Sequence, residues 1–151
     1  MTARRSHRWT PVLLAGSLLV TLAAGCSSTP TGPTGPPEVE TFTGTVAVGG
    51  VDTKTFVVTY NKVATDASMT LTSLVSVATQ TPVVTTVGLG FGSVNGNGVC
   101  VLSAARSTTA AQLNQQLVAT GVFAAGTFCI QVFDAGTLTE PLTYTVVVQH
   151  Y

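Results

Sequence analysis

The chain has 151 residues, a formal net charge of zero and only 8% charged side chains. The zero hides an asymmetry: Arg4, Arg5 and Arg8 crowd the start, whereas beyond residue 25 Lys54, Lys62 and Arg106 stand against Glu38, Glu40, Asp52, Asp66, Asp134 and Glu140, a net of −3. A mildly acidic, charge-poor body without a basic cluster lacks the electrostatic footprint that phosphate backbones require, which excludes nucleic acid as a partner.

The three arginines form a positive leader to Thr10–Leu22, an apolar run without charge and too short to cross a bilayer comfortably as a helix. That shape is an export signal. It ends in Leu22-Ala23-Ala24-Gly25-Cys26, which resembles the lipobox of bacterial lipoproteins, with Ala23 where that family usually carries leucine. The resemblance implies that residues 1–25 are a signal peptide and that Cys26 carries acyl chains, palmitate included. Each buried methylene adds about 0.8 kcal/mol, so the chain is expected to stay membrane-anchored. Ser27 stands where the family's inner-membrane retention signal is aspartate, which implies outer-membrane sorting in a diderm host. Ordinary secretory cleavage and an uncleaved anchor are the alternatives. Residues 26–37 read as a lipidated cysteine and flexible tether: Pro30, Pro33, Pro36 and Pro37 with Gly32 and Gly35 cannot build a core.

Residues 38–151 are expected to form one domain with one core. Threonine and valine dominate, and short alternating segments are punctuated by glycine and asparagine, which predicts an all-β sandwich of seven or eight antiparallel strands. The first is Val39–Val48, stopped by Gly49-Gly50. Thr53–Tyr60 follows with Phe56, Val58 and Tyr60 on one face, then Ser68–Val77 with Met69 and Leu71 in phase, then Val83–Gly90. Asn95-Gly96-Asn97-Gly98 tolerates positive φ and turns the chain into Val99–Ala105. Thr108–Gly121 is ambiguous: Leu113 and Leu117 fit a helical pair, but a loop plus a short strand fits better. From Gly126, Phe128, Ile130 and Val132 face one way and Cys129, Gln131 and Phe133 the other. Asp134-Ala135-Gly136 is a turn, and Thr143–Gln149 closes the domain with Tyr144, Val146 and Val148 inward.

With Cys26 committed to lipid, Cys100 and Cys129 are expected to pair in an oxidising compartment. A bridge closing a loop of about 30 residues is worth roughly 3–4 kcal/mol in the chain-entropy account. The parity of Cys129 puts this bridge on the outer side of its sheet, unlike the core-crossing bridge of immunoglobulin domains. Metal is not expected, because two cysteines and His150 do not make a zinc site. Gly88-x-Gly90-x-Gly92 is read as a strand end or bulge, since a phosphate-cradling loop needs a helix after it. Catalysis finds few groups: His150 sits at a chain end expected to be mobile, and a domain this small rarely forms the cleft for a sugar chain that paired carboxylates among Asp52, Asp66 and Asp134 would need. Threonine rows such as Thr41, Thr43, Thr45 and Thr143, Thr145 are solvent-facing sheet or a flat adhesive surface. The only tryptophan, Trp9, leaves with the signal, so Tyr60, Tyr144 and Tyr151 are the remaining stacking platforms for sugars.

The string Ala125-Gly126-Thr127-Phe128-Cys129-Ile130-Gln131-Val132-Phe133-Asp134, followed by Gly136–Val148 with its Tyr144-x-x-x-Val148, resembles the end of bacterial pre-peptidase C-terminal (PPC) domains. Those close with two strands of the forms Gly-Thr-Tyr-x-x-x-Val and Tyr-x-x-x-Val; Phe42-x-Gly44 and Phe56-x-Val58 fit the same plan. The resemblance implies a jelly-roll-like sandwich that is an accessory to secreted enzymes and sometimes binds calcium near its amino end. Here Glu38, Glu40 and Asp52 make too thin an oxygen cage. The expectation is a non-catalytic binding or accessory module of the cell envelope. It would have no cofactor, be held by N-terminal acyl chains, and have a protein or glycan partner. A structural subunit of an envelope assembly, or a small hydrolase, is the alternative.

Overall fold

In the computed structural model, residues 36–59 and 65–151 are described. The expected signal and Cys26 therefore lie outside the described residues, as do Tyr60 and Lys62. Eight strands follow one another: β1 (Glu38–Val46), β2 (Val51–Val58), β3 (Thr65–Ser76), β4 (Val87–Val94), β5 (Cys100–Ala111), β6 (Gln116–Phe123), β7 (Gly126–Phe133) and β8 (Leu142–His150). They form two four-stranded antiparallel sheets, β1-β8-β3-β6 and β2-β7-β4-β5. β4 and β5 form a hairpin within one sheet; every other connection crosses to the opposite sheet. The partners are thus β4 with β5, β3 with β6, β2 with β7 and β1 with β8, a long hairpin wound into the jelly-roll-like sandwich expected from the sequence.

The winding follows from alternation. Along β8, Leu142, Tyr144, Val146, Val148 and His150 are buried while Thr143 and Gln149 are exposed. The inward rows of both sheets meet in one core, where Phe56, Phe91, Phe123 and Phe128 pack edge to face or tilted, the closest centroids, Phe123 to Phe128, 4.6 Å apart. Each such ring contributes about 1.5–3 kcal/mol by leaving water.

Three elements differ from expectation. The fourth strand starts at Val87, not Val83, because Val83–Thr86 still runs between the sheets, tied by Val83 N–H to Leu74 O and by the Thr137 hydroxyl to Thr86 O. Part of the ambiguous stretch lengthens β5 to Ala111, and β6 begins at Gln116 after a turn in which Asn114 takes φ 63°. The glycine run Gly88-x-Gly90-x-Gly92 lies inside β4, not at its end, and the bulge that the sequence also allowed is present as register shifts between Val87 and Leu89 and between Gly90 and Gly92.

Those glycines sit on the outer face of β4, opposite inward Val87, Leu89 and Phe91. A Cβ at Gly88 would strike the Phe133 ring, one at Gly90 would crowd Ser107 and Leu102, and one at Gly92 would strike the Val101 backbone and press on Cys100 Sγ. Between Gly90 and Gly92 the partner strand advances from Ser107 to Leu102, so the start of β5 bulges over β4. That fold-over brings Cys100 to Cys129, Cα to Cα 5.9 Å, in a disulfide that passes above Gly92. The bridge joins two strands of one sheet, and Cys129, though 0% exposed, lies outside the core cluster.

Candidate functional site

The outward rows of the first sheet are open. They carry Val39, Thr41, Thr43 and Thr45 on β1; Thr143, Thr145, Val147 and Gln149 on β8; Ser68 and Thr70 on β3; and Gln116 and Val118 on β6. None of these is charged. Register places Gln149 beside Ser68, Ser68 beside Val118, and Thr70 beside Gln116. At this end of the sheet Pro37, just before β1, and Tyr151, just after β8, join Asp66, Ser68, Gln116, Val118 and Gln149 around a groove of about 310 Å³.

Local chemistry explains its corner. β6 gains extra residues opposite Asp66 and takes a left-handed turn at Gly121 (φ 64°), whose N–H donates to Asp66 Oδ1 at 2.6 Å. One carboxylate oxygen is therefore fixed, and further lone pairs point away from that bond. The side chains of Ser68, Gln116 and Gln149 have no hydrogen-bond partner among the described residues. Amides and a hydroxyl both donate and accept, so the groove presents unspent capacity of both kinds. Two other openings lie at the far end of the sandwich. One is about 480 Å³ along Val84–Thr86, Gln112 and Leu113, the other about 220 Å³ around Leu138, Glu140 and Leu142. In the second, Glu140 Oε2 is already taken by the buried Ser76 hydroxyl at 2.6 Å.

The groups named for catalysis are not gathered. His150 corrects its expectation: it is not mobile but 1% exposed, its ring 5.0 Å from that of Phe56 and its Nε2 2.8 Å from Glu40 Oε1. Its Nδ1 is buried without a partner among the described residues. The strand continues through His150, and burial between Glu40 and Phe56 outweighs end fraying. Asp52 accepts from the Tyr144 hydroxyl at 2.8 Å and lies 3.2 Å from Lys54 Nζ. The reach of Tyr144 past β1 requires Gly44, where a Cβ would land on both partners. Burial first, then the hydrogen bond and charge of Asp52, push the phenol well above its ordinary range.

Asp134 is the turn former that the sequence implies: Oδ2 accepts from Gly49 N–H, and Oδ1 from Gly136, Thr137 and Leu138 N–H. These donors, Gly49 foremost, hold its carboxyl below the ordinary value. Among the described residues no three His, Cys, Asp or Glu side chains converge on a cation position.

Of the sugar-stacking candidates, Tyr144 is buried in the core and Tyr151 lines the groove. Gln116, Ser68 and Gln149 were not legible as site residues. Alternation along β8 does put Gln149 outward, but which strands flank it depends on pairing. No family model and none of the curated proteins matches the chain.

Proposed function

We propose that the chain is a non-catalytic binding module of the bacterial cell envelope, a PPC-like sandwich anchored through acylated Cys26. In a diderm host its membrane is the outer one. The observation that carries the binding reading is the open face of the first sheet with its groove, where Ser68, Gln116 and Gln149 have no hydrogen-bond partner among the described residues. Chemistry on a substrate needs a titratable group that can touch it. His150 is sealed against Glu40 and Phe56, Asp134 is saturated by backbone donors, and Asp52 is engaged by Tyr144 and Lys54, which supports binding over turnover. The anchor rests on the lipobox-like Leu22–Cys26 and on the Pro/Gly tether that would hold the domain clear of the bilayer.

Two measurements test the reading. Intact-mass analysis of native material should find Cys26 as the first residue, carrying acyl chains; Met1 still present, or Cys26 unmodified, defeats the anchor. A photo-crosslinker placed at Thr70, in the open face, should capture an envelope component in living cells. One placed at Thr55, on the outer side of the second sheet, should not.

A further inference from the structure

We infer that the groove between Pro37, Ser68, Gln116, Gln149 and Tyr151 takes a neutral saccharide, one or two units of a glycan chain. This deepens the binding-module reading and rests on it. The volume, about 310 Å³, sits at the lower end of the roughly 300–1,000 Å³ typical of ligand sites, which suits a small unit more than a folded partner.

The lining decides the chemistry. Among the described residues it holds no cation and one carboxylate, Asp66, so a phosphate, sulfate or uronate would give up its hydration there without a counter-charge. A sugar hydroxyl is both donor and acceptor, and so are the two amides and the serine hydroxyl that face it; each can rotate to suit. The free lone pairs of Asp66 add an acceptor, while its bond to Gly121 N–H keeps the carboxylate in place. A pyranose ring also has an apolar face. Tyr151 offers a flat ring with a polar tip, and Pro37 and Val118 extend the apolar floor. The groove opens onto the threonine rows, an uncharged track along which a longer chain would lie without meeting a fixed charge.

Full-length protein is titrated by calorimetry in a detergent without a sugar headgroup. The probes are hexasaccharides of β-1,4-glucose, α-1,4-glucose and β-1,4-N-acetylglucosamine, with hexagalacturonate as the anionic control. At least one neutral hexamer should bind and the galacturonate should not. Tyr151→Ala should weaken binding about tenfold or more, Gln149→Ala about fivefold, and Tyr151→Phe less than about threefold, as expected when a platform is removed, a polar contact is lost, or the ring is kept. Thermal melting of each variant, expected unchanged at this exposed face, separates loss of ligand from loss of fold. The saccharide assignment is overturned if no neutral hexamer binds, if galacturonate binds equally, or if Tyr151→Ala binds as wild type. If sugars fail while the Thr70 crosslinker captures an envelope protein, the saccharide is wrong and the binding module stands. Cleavage of a bound hexamer would overturn the non-catalytic reading itself.

Discussion

The two sheets share a core but treat their outer faces in opposite ways. On the first, threonine, serine, glutamine and valine stand free in rows, and the groove at one end has spare donors and acceptors. On the second, the face over β4 is closed by the chain itself: Phe133 lies on Gly88, Leu102 and Ser107 on Gly90, and β5 with the disulfide on Gly92. The contrast teaches a division of labour. Over β4 the chain supplies its own cover, although Val51 and Val57 on β2 stay exposed, whereas among the described residues nothing covers the outward rows of the first sheet.

The comparison breaks most directly at the bridge. Replacing Cys100 and Cys129 together by serine should cost roughly 3 kcal/mol in urea unfolding, because the loop they close regains its freedom and a hydroxyl enters the dry site of residue 129. Gly92→Val should cost about 2–3 kcal/mol, since the Val101 backbone cannot move aside as a flexible side chain would. Tyr144→Phe should cost about 1 kcal/mol by removing the bond to Asp52, which keeps Lys54.

Tyr144 also sets an alkaline limb. The unfolded phenol ionises near its ordinary 10.0, whereas the folded one resists. The stability it lends is complete below that pH and declines as pH rises above it; Tyr144→Phe should flatten that decline in a pH series of melts.

Asp134 works at the acid side. Its folded pKa lies below the ordinary 3.8, so its contribution is present above that value and fades as pH falls through the folded one. Asp134→Asn should melt earlier than wild type at pH 7, with the gap closing as pH falls below 3.8 and through the folded value. Smallest of all, Thr70→Val on the open face should stay within about 0.5 kcal/mol of wild type. A large loss there would mean that the first sheet is also closed.

Much of the sandwich was readable because alternation is a local signal. Phe56 and Val58, Met69 and Leu71, and Tyr144, Val146 and Val148 point inward as their spacing requires. The hairpin at Asn95–Gly98 and the turn at Asp134 follow from residues that tolerate positive φ or bond their own backbone: Gly98 N–H meets Asn95 O, and Asn95 Oδ1 takes the N–H of Asn97 and Val99. His150 misled because nearness to a chain end says nothing about Glu40, which lies 110 residues away in sequence but on the neighbouring strand β1, within 2.8 Å of its ring. The glycine run was readable as a bulge, and the register does shift there, but what makes glycine necessary lies at a distance. Only the neighbouring strands supply the atoms that forbid a side chain there: Phe133 of β7 at Gly88, and β5 at Gly90 and Gly92.

What the chain itself determined is therefore what neighbours along it enforce: an all-β body, the parity that sets Cys129 apart from the core, and turns at fixed places. Tertiary structure alone decided which strand lies beside which, and with that the closing of one face over Gly88, Gly90 and Gly92 and the meeting of Gln116, Ser68, Gln149 and Tyr151 on the other. The physical reason is that a side chain's direction is fixed by the residue next to it, whereas its company is fixed by pairing between strands that burial of the whole core selects.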